Sequence, residues 1–528
     1  MGKVKFGADA AGTDHITGES VGGISMGNED TILSEADARH LLRRAGFNIS
    51  KRTLKLLIGK SRGRAADTLL HFVPARFRPS GRDLRELHDS WVNYMIRTGR
   101  SLQEKLVLFW HDHFSTSYDT VPNLALLANQ NRLLRQFCKG NFKDFVKAIN
   151  KDAAMMEFLD TVRNTKYAPN ENYARELQEL FTLGVADLAG NANYTQADIV
   201  QIARAFSGWK YYTDRDTGKP YGLAYLSGNQ HDAGATKTIY TTVGGFGASG
   251  RSITANGVGE AEIDTVIDII FDHTDSDGKS TVARYIARKL LAYFAHANPD
   301  VSTIDDVVTA SGFASTWDIG ALMRAIFVHD FFYVSGARAP FDAASHKSVK
   351  WPVHYVVSTL RQLKMTLTFT SFGVTVNGRH ERRRYYHVFG TSQSIQDQLG
   401  DMGQLLFEPP SVFGWDWEAA WINSGTLLSR FTFARDVIAA RDTGTKAFRP
   451  QTLIDLSLTD AGDIVDAVSG VLGVTDQLTA TERDILIAYL TDNGVKSAPF
   501  DLTDETFRNT KLHGVFELVL QSPAFQLQ

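Results

Sequence analysis

Three short runs of this chain carry residue types that bind metals or move protons. In NENYARELQELFTLGV, Asn170 to Val185, the carboxylates Glu171, Glu176 and Glu179 surround Arg175. On a helix turning about 100° per residue, Glu171, Arg175, Gln178, Glu179 and Thr182 share one side, with Asn172 and Glu176 along its edge. Tyr173, Ala174, Leu177, Leu180 and Phe181 fill the opposite side. Arg175 stands four residues from both Glu171 and Glu179, a spacing worth about 0.2 to 0.5 kcal/mol per exposed pair. A solvated amphipathic helix ended by Gly184 explains the same pattern without chemistry.

The second run is FWHDHFST, Phe109 to Thr116. On a continuous helix His111 and His113 differ by about 200° and cannot share an ion. If the helix stops near His111, an extended His-Asp-His turn points both imidazoles to one side, as in metal sites. The opposing reading is a pair of hydrogen-bonded core histidines. In the third run, His231 and Asp232 precede Lys237, a set suited to acid-base work or anion binding and equally at home on a loop. A further segment, Met402 to Arg430, brings Trp415, Trp417 and Trp421 together with Pro409, Pro410 and Gly414. These rings either line a pocket for a flat apolar face such as a sugar or pin a rigid loop to the core.

Helices must position most of these groups. Ser34 can cap a helix through EADARHLLRRAGF, Leu102 to Phe114 is periodic, and Gln130 to Ile149 continues the pattern. After Trp209, short Thr, Tyr and Gly runs broken by turn formers predict a β-hairpin or long-loop insertion. Helical periodicity resumes at Glu260, interrupted by the Thr-rich MTLTFTSFGVTVNG. The expected fold is mainly α, a multi-helical globular protein with hairpin or long-loop insertions. Its regions are a flexible leader at 1–33, a helical region at 34–209 with the site motifs, an insertion at 210–258, and a C-terminal helical region at 259–528 with the Trp/Pro-rich loop.

Composition bounds the function. The 528 residues are 43% apolar and 22% charged, enough for substantial cores. A net charge of −3 gives no basic field for non-specific nucleic-acid binding. Cys138 is the sole cysteine, which excludes an intramolecular disulfide and a thiolate-rich metal site. The Gly/Ser/Asp-rich first thirty residues contain no apolar segment of signal-peptide length, and no run of eighteen apolar residues suggests a transmembrane segment.

LLRRAGF at Leu41 to Phe47, FWHDHF, NENYARELQELFTLGV, YTQADIVQIARAFSGW at Tyr194 to Trp209, HDAGATKT at His231 to Thr238, ARKLLAYF, MGQLLFEPPSVFGW and WIN at Trp421 to Asn423 follow one another in a fixed order. That order resembles the bacterial family known as domain of unknown function 1800, from about residue 34 to the C-terminus. The resemblance implies a helical, periplasmic or secreted protein encoded beside a member of domain of unknown function 1501, a family similar to alkaline-phosphatase-type and sulfatase-type enzymes. It supplies no substrate. Two positions depart from the pattern: His354 stands where the family usually has glutamate after Lys350, Trp351, Pro352 and Val353, and Thr274 follows His273 in place of proline.

Two functional expectations follow. The first is a metal-assisted or acid-base enzyme acting on an envelope or extracellular polymer such as a glycan. In it His111, Glu176, Glu179, Arg175, His231, Asp232 and Lys237 form the catalytic set, and His111, His113, Glu171, Glu176 and Glu179 are candidate ligands for Zn, Mn or Fe. Arg175 holds the carboxylates and Lys237 contacts a substrate anion. The second is a non-catalytic assembly or secretion partner of the neighbouring domain of unknown function 1501 protein, in which the same polar residues fix helix packing.

Overall fold

The computed structural model describes residues 29–213, 220–234, 236–253, 259–333, 348–376, 378–391, 393–439, 447–496 and 500–528. Most of the predicted leader therefore lies outside the described residues. The protein is mainly α, and its sheet structure among the described residues consists of two-stranded antiparallel pairs. A continuous apolar core runs from Leu33 to Phe525. No described helix is long and apolar enough to cross a membrane.

Local signals account for many of the helix ends. Ser34 Oγ accepts the Asp37 N–H at 3.1 Å and the Asp37 carboxylate accepts the Ser34 N–H, a capping box that starts Glu35–Ala45 where the sequence predicts. Ser280 caps Thr281–Phe294 in the same manner, its Oγ accepting from Ala283. Pro352, with no N–H to satisfy, opens Pro352–Gln362. The predicted continuity from Gln130 to Ile149 is broken: Leu124–Phe137 and Phe142–Ile149 are separate helices, divided around Gly140, with Asn141 capping the second.

The axial helix, Ser101–His113, runs inside the core. Every residue from Leu102 to His113 is buried, so its polar side chains must find partners inside the protein. Glu104 does so with Arg135 at 2.7 and 2.9 Å, and it also accepts from the Trp91 indole and the Gln103 amide. Around it, side chains such as Leu106, Phe109 and Trp110 each contribute about 1.5 to 3 kcal/mol of apolar burial. A single charged helix inside an apolar core is tolerable only because its neighbours complete each hydrogen-bonding group.

Between the helices Gln196–Ala205 and Gly259–Phe271, the strand Trp209–Thr213 pairs with Pro220–Leu226, and Lys237–Ile239 pairs with Arg251–Ile253. The second Thr-rich stretch is the first half of a longer hairpin, in which Thr368–Val376 lies in register with Arg379–His387. Gly378, just before the second strand, has φ of +75°, the backbone that tight hairpin turns demand.

The run that opened the sequence reading is two structures, not one. Asn172–Glu176 is α-helical and Leu177–Thr182 is a π-helix, so the wheel drawn at a uniform 100° fails after Glu176. The predicted continuous polar side is lost: Gln178 and Thr182 are fully buried while Glu171 and Arg175 remain accessible.

Candidate active site

The last turn of the axial helix sends its three polar side chains in different directions. The helix continues through His113, which excludes the extended His-Asp-His turn. His111 accepts the Phe407 N–H on Nε2 at 3.0 Å and packs edge-on against Trp91 and Phe407. Burial pushes its pKa down to about 3, with nearby His88 acting in the same direction, so the ring is a neutral acceptor that anchors the Met402–Arg430 segment.

Asp112 anchors the same segment one residue on. Its Oδ1 accepts the Trp415 N–H at 2.8 Å and its Oδ2 accepts the Trp417 indole N–H at 3.1 Å. Gly414 makes this approach possible: it has φ of +81°, and a Cβ there would stand 2.3 Å from Asp112 Oδ1. Trp415 and Trp421 are buried and Trp417 is half-buried, so of the two expectations for these rings the structure favours a loop pinned to the core.

His113 reaches a third element. Its Nε2 lies 3.2 Å from the Phe181 carbonyl and its Nδ1 lies 3.0 Å from Lys289 Nζ. One tautomer satisfies both contacts, with Nε2–H donating to the carbonyl and Nδ1 accepting from the lysine. Lys289 comes from Thr281–Phe294, one turn after Tyr285, whose ring lies 5.6 Å from the amine. The Tyr285 hydroxyl donates to Leu180 O at 2.9 Å. The π-turn thus ends with carbonyls that its own backbone leaves for side chains, and His113 and Tyr285 take them.

Burial, Lys289 and Asp112 set one another's chemistry. Burial raises the Asp112 carboxyl to about 6 despite the opposing charge of Lys289 and the hydrogen bonds from Trp415 and Trp417. Burial lowers the Lys289 amine to about 8, with Asp112 opposing and Arg288 reinforcing the shift. Burial and the Lys289 charge together hold His113 well below the ordinary histidine value. Half-buried Lys289 forms no ion pair among the described residues, in contrast to Lys237. An acid and a base drawn toward neutrality from opposite sides are the usual equipment of proton-transfer sites.

Beside the same π-turn, Glu176 is raised to about 7 by burial and by the charge of Glu179, with Arg175 opposing. Its Oε2 is buried without a hydrogen-bond partner. Glu179 accepts from the Tyr194 hydroxyl at 2.6 Å, and Arg175 pairs with Glu171 at 3.4 Å and donates to Gln196. The prediction that Arg175 holds the carboxylates is therefore narrowed to Glu171. The candidate ligands His111, His113, Glu171, Glu176 and Glu179 do not present a common donor set: His111 is committed to the Phe407 N–H, His113 to Lys289 and Phe181, Glu171 to Arg175 and Gln196, and Glu179 to Tyr194. Among the described residues no three His, Cys, Asp or Glu side chains group as metal ligands.

The third motif forms a separate closed cluster. Lys237 is fully buried, 2.9 Å from Glu262, and donates to Asp232 O at 2.7 Å, so the expected contact with a substrate anion is replaced by an internal ion pair. His231 Nε2 lies 3.3 Å from the same Glu262 oxygen and its Nδ1 reaches Ser207 O, while Asp232 pairs with Arg204 at 2.7 Å. Glu262 sits in GEAEID and offers no spacing that ties it to His231. Nor does the sequence signal Asp112 and Lys289 as a pair, since 176 residues separate His113 from the lysine it contacts. Their one linear trace is that HDH and ARKL both fall in the ordered motif set.

No curated protein and no solved structure matches this chain. The family described as protein of unknown function (DUF1800) matches residues 28–527. That span takes in the axial helix, the π-turn, the lysine helix and the tryptophan loop, and the chain belongs to the DUF1800 family.

Proposed function

We propose that the protein is an acid-base enzyme whose proton-handling pair is Asp112 and Lys289, with His113 positioning the lysine and Glu176 at the edge of the site. The observation that carries this reading is the hydrogen bond from Lys289 Nζ to His113 Nδ1, within reach of the buried Asp112 charge and with no direct ion pair to the amine among the described residues. The substrate class is an envelope or extracellular polymer such as a glycan, a choice resting on the resemblance to an exported family. The proton inventory is that of one acid and one base: activity requires one proton shared by the pair. The rate then rises through about pH 6 and falls through about pH 8.

The test is release of new chain ends from isolated cell-envelope polysaccharide and peptidoglycan by the full chain and by Asp112→Asn and Lys289→Met. Each substitution is expected to lower turnover by about 10²- to 10⁴-fold, the usual worth of a positioned acid or base. Equal turnover by wild type and both variants sinks the assignment. A second reading, an assembly partner of a domain of unknown function 1501 protein, is favoured by the His231, Lys237 and Glu262 cluster, which is buried and paired internally as a packing element is. It predicts a stoichiometric complex on co-expression with the neighbouring gene product that survives Lys289→Met.

A further inference from the structure

Several charged groups compete for a role beyond proton transfer. Arg44, Lys105, Lys350 and Arg430 are buried together near His354, but carbonyl and amide oxygens of Tyr293 to Ala295, Phe525, Gln526 and Gln528 take their hydrogen bonds. The arginine-rich strand Arg379–His387 is partly exposed, yet Arg383 is already bound to Asp83 and Glu381. Lys289 differs from both. It is a half-buried primary amine whose one described hydrogen bond runs to a neutral imidazole, within reach of the Asp112 charge and near the aromatic ring of Tyr285.

We infer that Lys289 is a covalent nucleophile for carbonyl compounds, forming an imine with an aldehyde or ketone such as the open-chain end of a sugar. This inference rests on the acid-base reading above and specifies it. The His113 Nδ1 acceptor takes one N–H of the neutral amine, which leaves the nitrogen lone pair free of that contact. The lone pair adds to the carbonyl carbon, the C=O π bond becomes a hydroxyl, and a proton passes from nitrogen to oxygen to give the carbinolamine. A proton from the Asp112 carboxyl then assists loss of that hydroxyl as water while the C=N bond forms. Hydrolysis reverses each step and returns the proton, so no oxidant or reductant is consumed. Neutral lysine with protonated aspartic acid has the same proton count as the ion pair, so imine formation shares the optimum between about pH 6 and 8.

The experiment incubates the full chain with glyceraldehyde and cyanoborohydride across pH 5 to 10 and locates reduced adducts by peptide mass spectrometry. The expected result is that Lys289 labels at least about tenfold faster than exposed lysines at pH 7, with a maximum between 6 and 8. Exposed lysines instead label faster as pH climbs toward their ordinary value near 10.4. Asp112→Asn, checked for folding by circular dichroism, is expected to slow labelling at Lys289 and leave the others unchanged. Labelling of Lys289 at or below the rate of exposed lysines overturns the inference. If polymer turnover nevertheless collapses in Lys289→Met, proton transfer stands and the covalent step falls; if Lys289 labels selectively and turnover is unaffected, the polymer substrate falls instead.

Discussion

At the residue scale, the distinctive property of this protein is that burial holds His111, His113 and His354 neutral. His111 has a folded pKa near 3 because of burial, against an unfolded value near 6.5. Its contribution to stability is complete above pH 6.5 and is lost as pH falls toward 3, by about 1.4 kcal/mol per pH unit while only the unfolded chain takes the proton. Asp112 acts in the opposite sense: its raised pKa favours the protonated acid in the fold, so its cost accrues as pH rises from 3.8 to about 6. His111→Gln keeps an acceptor for the Phe407 N–H and removes one of these imidazoles. Urea unfolding between pH 6 and 4 is expected to show a stability slope shallower by about 1.4 kcal/mol per pH unit; an unchanged slope refutes the neutral assignment. Gly414→Ala tests the adjoining contact. Its Cβ meets Asp112 Oδ1 on a left-handed backbone, so it should displace the tryptophan loop, lower Tm, and shift the Trp417 fluorescence environment.

At the element scale, the π-turn Leu177–Thr182 turns a plain amphipathic helix into a junction. By leaving Leu180 and Phe181 carbonyls to Tyr285 and His113, it ties the axial helix and the lysine helix to one point. Tyr285→Phe removes one of those bonds and is expected to cost about 1 kcal/mol in denaturant unfolding. A loss of turnover larger than the loss of stability in the same variant would mark the junction as positioning Lys289. Little of this was legible beforehand. The capping residue Ser34, the helices and the strands after Trp209 follow from local chemistry, and they were readable because the deciding neighbours lie within a few residues. The π-turn was not, because a hydrophobic wheel assumes one period throughout. Lys289 was hidden for a different reason: inside ARKLLAYF it reads as one basic residue on an amphipathic helix, and only packing across 176 residues sets it against His113. His111 stood out in the sequence as a candidate ligand or acid-base group, and the partner that makes it an anchor for a loop, the Phe407 N–H, lies 296 residues away.

At the scale of the whole molecule, charges from both halves of the chain meet partners near residue 528. Arg44 bonds Gln528 O, Lys105 bonds Gln528 Oε1, Lys350 bonds Phe525 O and Arg430 bonds Gln526 Oε1. Burial and mutual repulsion hold the Lys105 and Lys350 amines well below their ordinary value. His354, in the place of the glutamate usual in the family resemblance, stands among these cations and is held neutral by burial and by their charges. His354→Glu adds the missing counter-charge and is expected to raise Tm in scanning calorimetry, whereas a lowered Tm would show that desolvating the new carboxylate outweighs its attraction to the cations.

Lys105 and its partner Gln528 are 423 residues apart, which has a consequence in time. On a ribosome adding about 5 to 20 residues per second, the axial helix emerges many seconds before the oxygens that complete its lysine. Until then burying Lys105 leaves its amine without that acceptor, at a desolvation cost, so closure of the centre around it waits for the segment near residue 528.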